Sequence, residues 1–282
     1  MPQSPSSSVQ AARVALAERL RELRLDAGIT KRELAARCGW HEAKSSRIEH
    51  AKTPPSDADI RAWCQACGAQ RQAPDLIVAN RQADSMYVQW RRLQRTGLRR
   101  LQEVNAPLHE RTRRFRVYCS NVMPGYLQTP GYAAALLSSI AAFRGAPDDV
   151  TEAVAARMHR SRVVREGDRQ FAILIEEAVL CYRLGDAGVM AGQLGHLLSA
   201  MELPAVALGV IPSVASRAMW PIETFTIFDG QRVHIEPLSA SIKITAPDEI
   251  ALYEQAFGEL YKLAVFGADA RSLIVKAIGS LG

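Results

Sequence analysis

Hydrophobic residues in the first eighty positions recur at helical spacing. The first group is spaced by four, three and four residues and consists of Leu16, Leu20, Leu23 and Ala27. This spacing places the group on one face of a helix over about 11–27. Further helices are predicted at about 30–38, 41–50, 56–67 and 74–80, where capping residues precede the runs and glycine or proline follows most of them. The pattern therefore predicts five consecutive helices.

The pattern changes after Phe115, where strand-like runs begin to alternate with helical ones. Strands are predicted at 115–122, 171–180, 206–213, 224–229, 232–238 and 241–245, although the end of the second run is also compatible with a helix. Helices are predicted at about 129–143, 148–166, 187–202, 247–266 and 268–280. We therefore expect a multidomain α and α/β chain, with a helical connector over 81–114 and a mixed α/β domain over 115–282.

Charge is distributed unevenly between the two halves of the chain. Residues 1–118 contain 22 Lys and Arg against 12 Asp and Glu, a net charge of +10. Residues 119–282 contain 13 Lys and Arg against 17 Asp and Glu, a net charge of −4. A basic domain joined to an acidic one predicts that the first meets a polyanion, although a solvated Arg-rich surface would give the same count.

The location and redox state of the chain are also suggested by its sequence. The sequence contains no run of 18 apolar residues, so it predicts no membrane-spanning helix. The opening MPQSPSSSVQ lacks the features of a signal peptide, so we expect a disordered lead at 1–10 and a cytoplasmic protein. Five cysteines with irregular spacing predict reduced thiols. The pair Cys64 and Cys67 falls on the inner stripe of the fourth helix, which favours buried core thiols, with a redox or metal role as the alternative.

Residues 30–56 have the spacing of a helix-turn-helix, in which two short helices are joined by a turn containing Gly39. Such a second helix fits the DNA major groove. At about 100° per residue, Trp40 and Ile48 face the core. The outward, base-reading candidates are His41, Glu42, Lys44 and Arg47. Arginine pairs with guanine, glutamate accepts from cytosine N4, and histidine or lysine can meet guanine.

Three other residues are candidates for phosphate contacts. Thr30 and Lys31 stand at the start of the first helix of the pair, where backbone N–H groups and the helix dipole suit an anion. Lys52 follows the second helix. An ordinary helical hairpin is the alternative, but the basic charge of this half and the polar outer face favour double-stranded DNA as the partner.

The run GITKRELAARCGWHEAKSSRIEHAKTPPS resembles the XRE-type, lambda-repressor-like helix-turn-helix domain. The resemblance rests on the pattern T-x-x-E-L-A, then Gly39, then S-R-I-E and a proline. It implies a five-helix domain over 11–80 and a structural ion pair between Arg24 and Glu49. Ser45 stands where the family usually has Val or Ile, and Ala51 where Gly often ends the helix. We therefore expect a less firmly packed recognition helix.

The second half resembles the uncharacterised C-terminal domain of actinobacterial, antitoxin-like regulators. The resemblance spans about 115–275 and rests on MPGYLQTPGYAAALL, ARMHRSRVV, EEAVLCYRLGDAGVMAGQLGHLL and VALGVIPS. It implies a transcriptional regulator whose C-terminal domain dimerises or senses an effector or a partner. The alternative is an antitoxin-like protein that binds a small partner protein and uses DNA binding for autoregulation.

Candidate chemistry in the second half is sparse. The sequence lacks the common motifs for nucleophilic, zinc and phosphate-loop enzymes, so we expect neither an enzyme nor a cofactor. His234 and Glu236 share a strand face and could form half of a site, although a surface pair is more common. The better hypothesis is an effector pocket, with Tyr126, Tyr182, Trp220 and Phe225 as candidate lining residues or, alternatively, core residues.

Overall fold

The computed structural model describes residues 7–89, 97–238 and 240–281. The chain divides into two compact units, the first comprising residues up to Val88 and Ile242–Ile244, and the second comprising the remaining residues. The first helix begins at Ser7, so part of the expected disordered lead is helical. Residues 1–6 of that lead lie outside the described residues.

The first unit is helical because each short helix has its own start and stop signals. Its helices are α1 (Ser7–Asp26), α2 (Lys31–Cys38), α3 (Glu42–Glu49), α4 (Asp57–Ala66) and α5 (Ala73–Met86), followed by the short strand β1 (Tyr87–Gln89). Thr30 and Ser56 cap α2 and α4 with reciprocal capping boxes. Gly39 ends α2 with a φ of 71°, which a residue with a side chain rarely adopts.

The core of the first unit is built from one apolar face of each main helix. Leu20, Leu34, Ile48, Ile60 and Trp63 are almost completely buried together. The indole N–H of Trp63 donates to the carbonyl of Leu20 at 2.9 Å, so its polar atom is satisfied inside the core. This packing fixes the outer faces of α2 and α3.

The second unit combines helices with a mixed sheet. Its helices are α6 (Leu98–Val104), α7 (Ala106–Arg111), α8 (Pro130–Arg144), α9 (Val150–Ser161), α10 (Glu177–Cys181), α11 (Ala187–Ala200), α12 (Pro247–Leu263) and α13 (Gly267–Gly279). Its strands are β2 (Arg114–Cys119), β3 (Gln170–Glu176), β4 (Val206–Ile211), β5 (Phe225–Phe228), β6 (Arg232–Ile235) and β7 (Ala240–Ile244), of which β7 begins in this unit. The fold class expected from the sequence is confirmed.

These strands lie in the order β7-β6-β5-β2-β3-β4. Strand β2 pairs in parallel with β3, which pairs in parallel with β4. On its other edge β2 pairs antiparallel with β5, and β5 pairs antiparallel with β6. Phe115 of β2 stacks on Phe171 of β3 with ring centroids 4.3 Å apart, which places aromatic packing at the centre of the sheet.

The segment expected to be a connector is only partly separate. Residues 90–96 lie outside the described residues, but α6 and α7 belong to the second unit. The side chain of Asp149 accepts from the backbone N–H groups of Leu98 and Arg99, both at 2.8 Å, and so caps α6. Leu98 is buried against α8 and α9. Within the described ranges, no helix is long and apolar enough to cross a membrane.

Candidate nucleic-acid interface

Helix α3 has one buried face and one exposed face. Ser45, Ile48 and Glu49 are buried, while His41, Glu42 and Arg47 are exposed. The turn before the helix is attached to it, because the indole N–H of Trp40 donates to the hydroxyl oxygen of Ser45 at 2.8 Å. Ser45 therefore has a specific partner. We expected Ser45 to leave α3 less firmly packed, but that expectation did not include the hydrogen bond from Trp40.

The buried base of α3 is held by charged groups. The Nε atom of Arg24 donates to Oε1 of Glu49 at 2.5 Å, and its Nη1 atom donates to the carbonyl of Ile29 at 2.9 Å. The structure therefore brings together the two residues that the resemblance paired. Lys31 also approaches Glu49, with its Nζ atom 3.3 Å from Oε2. Helices α1, α2 and α3 thus share one buried carboxylate.

Arg47 is the most available of the base-reading candidates. Among the residues that the structure describes, its guanidinium has no hydrogen bond or ion pair. His41 caps α3, and its Nδ1 atom accepts from the backbone N–H of Ala43 at 3.1 Å. A neutral imidazole with that acceptor carries its proton on Nε2, which leaves a donor for a base edge. Glu42 occupies the first helical turn and is exposed.

Lys44 differs from these residues because it already has a partner. Its Nζ atom lies 2.6 Å from Oδ1 of Asp59 and 4.5 Å from the ring centroid of Trp40. Burial raises the pKa of the Asp59 carboxyl, but hydrogen bonds from Lys44 and Ser56 outweigh burial and leave the pKa below its usual value. Lys44 therefore joins α3 to α4.

The phosphate candidates also differ in availability. Lys52 is exposed, whereas Lys31 is half-buried beside Glu49. The backbone N–H of Thr30, expected to be free for an anion, donates to Oε2 of Glu33 at 2.7 Å. That backbone hydrogen bond, followed by one with the Thr30 hydroxyl, lowers the pKa of Glu33. The start of α2 therefore already holds a carboxylate.

The end of α3 is closed in a left-handed conformation without glycine. Ala51 has a φ of 52° and its N–H donates to the carbonyl of Ile48 at 3.0 Å. The N–H of Lys52 donates to the carbonyl of Arg47 at 2.9 Å. The backbone therefore keeps the geometry of a glycine cap although the sequence has alanine there.

The predicted pocket residues separate into two groups. Tyr126 and Phe225 line one cavity of the second unit. Tyr182 and Trp220 are outside that lining and are 49% and 68% exposed, so they form no common pocket with the others. Sequence reasoning placed them near strand ends, but aromatic character alone does not tell which loops converge.

The remaining candidates form no metal site. Among the described residues, no three His, Cys, Asp or Glu side chains are grouped to hold a metal ion. Burial raises the pKa of the Cys67 thiol to about 11, and the neighbouring cysteines add to this shift. Such a thiol is protonated at neutral pH and is a poor nucleophile.

Family comparisons agree with this two-part description. Residues 15–76 match the family described as "Helix-turn-helix domain". Residues 106–276, more than half of the chain, match the family described as "Domain of unknown function (DUF5753)". The chain belongs to the DUF5753 family. Its first unit is therefore a helix-turn-helix domain, and its second unit contains the DUF5753 domain.

Comparisons with individual proteins add little to the family assignment. A search of curated proteins gave no match. One similar solved structure is titled "Structure of TrmBL2, an archaeal chromatin protein, shows a novel mode of DNA binding". Its sequence is 11% identical to this one, and the match covers 84% of this chain and 87% of the other chain, with a TM-score of 0.31. Because the TM-score is that low, the likeness carries no argument about this DUF5753 protein.

Sequence reasoning missed the residues that hold the interface in place. Asp59 and Lys44 are 15 positions apart, and their contact depends on the angle between α3 and α4. Trp40 and Ser45 are only five positions apart. A serine at a core-facing position of the helix, so close to a tryptophan, was the signal that could have predicted their hydrogen bond. Neither pair follows from helical periodicity alone.

Proposed function

We propose that the protein is a sequence-specific, DNA-binding transcriptional regulator of the XRE type, with α3 inserted in the major groove. The observation that carries this proposal is the outer face of α3, where Arg47, Glu42 and His41 are exposed while the opposite face is buried. A rigid helix with polar side chains on one face is the arrangement that reads base edges. The helix-turn-helix family match supports the same conclusion.

Each exposed residue of α3 has a distinct role in this proposal. Arg47 donates two hydrogen bonds to guanine, because its guanidinium has no partner among the described residues. Glu42 accepts from cytosine N4, and His41 donates from Nε2. Lys44 reads a base only if DNA displaces Asp59, so we assign it chiefly to positioning α3.

Phosphate contacts flank this face. Lys52 is exposed just beyond α3 and is the first candidate. Lys31 is a second one, because Arg24 and Lys31 together outnumber the single negative charge of Glu49. At Thr30, a phosphate would meet the hydroxyl group beside the carboxylate of Glu33, which opposes anion binding. We therefore rank Thr30 last.

The second unit is assigned to regulation in this proposal. A homodimer would present two recognition helices to half-sites about one helical turn apart. The DUF5753 domain would hold the dimer together and sense an effector or a partner. The alternative, an antitoxin-like protein with a small protein partner, predicts that a second protein copurifies in stoichiometric amount.

Selection from random DNA duplexes by the full chain tests the proposal. A dimeric regulator enriches one motif arranged as two half-sites, with centres about 10 base pairs apart. A single motif without symmetry would contradict the dimer and keep sequence recognition. Enrichment of no motif, with binding that depends only on salt, would contradict sequence-specific regulation.

A further inference from the structure

A large cavity lies between the sheet and the helices of the second unit. Its volume is about 430 Å³, which is within the usual range for small-molecule sites. Leu98, Val117, Met123, Phe225 and Phe228 contribute apolar surface to its lining. The cavity is therefore large enough and apolar enough to bury an organic molecule.

Helix α9 brings two arginines into this cavity. Arg157 and Arg160 are three positions apart, so they project from one face of the helix, and both line the cavity. Within the described residues, neither forms an ion pair. Burial, followed by the charge of Arg160, lowers the pKa of Arg157 to about 10, and burial also lowers the pKa of Arg160.

The first arginine is held in place by neutral groups. Gln128 Oε1 accepts from Nη1 of Arg157 at 2.7 Å, and Gln102 Oε1 accepts from Nε at 3.2 Å. Gln128 is itself fixed, because its Nε2 atom donates to the carbonyl of Met123 at 2.8 Å. These contacts orient the guanidinium and do not neutralise its charge. Such preorganisation lowers the cost of binding an anion.

The other ionisable groups of the lining do not balance this charge. Arg144 contributes a third guanidinium, and its Nη2 atom donates to the carbonyl of Leu238 at 3.2 Å. Among the described lining residues Glu236 is the one carboxylate, and it is exposed; its charge raises the pKa of Arg157 and of Arg160 but does not outweigh burial. Burial, followed by the charge of Arg160, lowers the pKa of His109 to about 4, so that ring is neutral near pH 7. The described lining thus keeps a positive excess.

We propose that this cavity binds a small organic anion. Arg157 and Arg160 hold its carboxylate or phosphate group, and the aromatic and aliphatic wall around Phe225 and Phe228 holds its apolar body. Guanidinium groups bind both anions through two parallel hydrogen bonds, and they do so more strongly where water is excluded. The ligand is therefore an amphipathic acid and not a bare ion or a neutral hydrocarbon.

The regulatory meaning of this site rests on the proposed function, because only a DNA-binding regulator would use the anion as its effector. The binding itself does not depend on DNA. Calorimetry on the full chain without DNA therefore tests the site separately, and failure of DNA recognition would leave a positive result standing.

The experiment compares four probes by isothermal titration calorimetry. Phenyl phosphate and phenylacetate test the two anionic groups, inorganic phosphate lacks the apolar body, and benzyl alcohol lacks the charge. We expect one or both aromatic anions to bind more tightly than inorganic phosphate and benzyl alcohol. The stronger of the two aromatic anions identifies the group that the arginines prefer.

Variants then test the role of the arginines. Arg160→Gln should weaken binding of the preferred aromatic anion by about tenfold or more, since a charged hydrogen-bond donor is lost. Arg100→Gln is the matched control, because Arg100 is exposed and outside the cavity, and it should leave binding unchanged. Arg160→Lys keeps the charge and loses the paired hydrogen bonds, so its affinity should fall between wild type and Arg160→Gln.

Thermal unfolding separates binding from a purely structural role. Arg160→Gln should unfold at the same temperature or a higher one without ligand, because it removes a half-buried charge that lacks an ion pair among the described residues. Wild-type protein that binds neither aromatic anion, or binds benzyl alcohol equally well, would overturn the proposal. Full affinity in Arg160→Gln would overturn the assignment of the arginines.

Discussion

The left-handed alanine at the end of α3 gives a prediction with a defined sign. Ala51 has a φ of 52°, where its Cβ atom is crowded by the backbone, and the hydrogen bonds around it keep the chain in this conformation. Ala51→Gly removes the crowding without removing any of those backbone bonds. We therefore expect this substitution to stabilise the helix-turn-helix domain.

The magnitude follows from two opposing effects. A left-handed conformation costs an L-residue roughly 1–2 kcal/mol, which glycine avoids. Glycine also makes the unfolded chain more flexible, which costs about 0.4–1 kcal/mol of stability. The difference spans about 0 to 1.6 kcal/mol, so we expect a gain of about 0.8 kcal/mol in the free energy of unfolding. This gain would restore the glycine cap that the XRE-type resemblance leads one to expect.

Ala43→Gly is the matched control for Ala51→Gly. Ala43 is exposed in the first turn of the same helix, so removing its methyl group should destabilise the domain by about 0.5–1 kcal/mol. Urea unfolding of the full chain, followed by tryptophan fluorescence and by amide exchange in 42–53, measures both changes. Destabilisation by Ala51→Gly would refute the reasoning, because both Ala→Gly substitutions would then lower the free energy of unfolding and the left-handed conformation of Ala51 would make no difference.

Three further predictions concern contacts of the same domain. Trp40→Phe and Ser45→Ala, measured singly and together by urea unfolding, should show a coupling of about 1 kcal/mol, and additive effects would contradict the partly buried hydrogen bond between them. The pKa of Asp59 is lower in the folded protein than its unfolded-state value of about 3.9. Its ion pair with Lys44 therefore stabilises the fold fully above that unfolded-state pKa, and this contribution is lost as the pH falls through the lower folded-state pKa. The stability gap between wild type and Lys44→Met should therefore shrink in unfolding experiments below about pH 4, whereas a gap independent of pH would contradict the ion pair. Lys52→Ala should shallow the slope of log K against log salt for DNA binding by about one unit, and an unchanged slope would exclude a phosphate contact.

Periodicity predicted the elements of this fold well because it depends only on local geometry. The stripe containing Leu20 predicted a buried face of α1, and alternation after Phe115 predicted β2. The ends were less accurate, since α1 begins at Ser7 and the connector includes two helices of the second unit. Those differences depend on packing and capping contacts, such as Asp149 with α6, that are distant in sequence.

Chemical sites were harder to predict because they depend on which surfaces converge. The exposed face of α3 followed from its helical spacing, but the partner of Lys44 did not. Arg157 and Arg160 have the spacing of one helix face, yet a helix with such residues most often presents them to solvent. Only the packing of α9 against α6 and α8 shows that they line a cavity.

The most direct test of the proposed function is fluorescence anisotropy with the duplex enriched by selection. Arg47→Ala is compared with Arg71→Ala, since Arg71 is exposed on a short 3-10 helix between α4 and α5 and serves as the matched loss of charge. We expect Arg47→Ala to weaken binding by about 1–3 kcal/mol and to relax one base position, whereas Arg71→Ala should keep that base preference. Equal losses for both variants, with the same base preferences as wild type, would contradict base reading by α3.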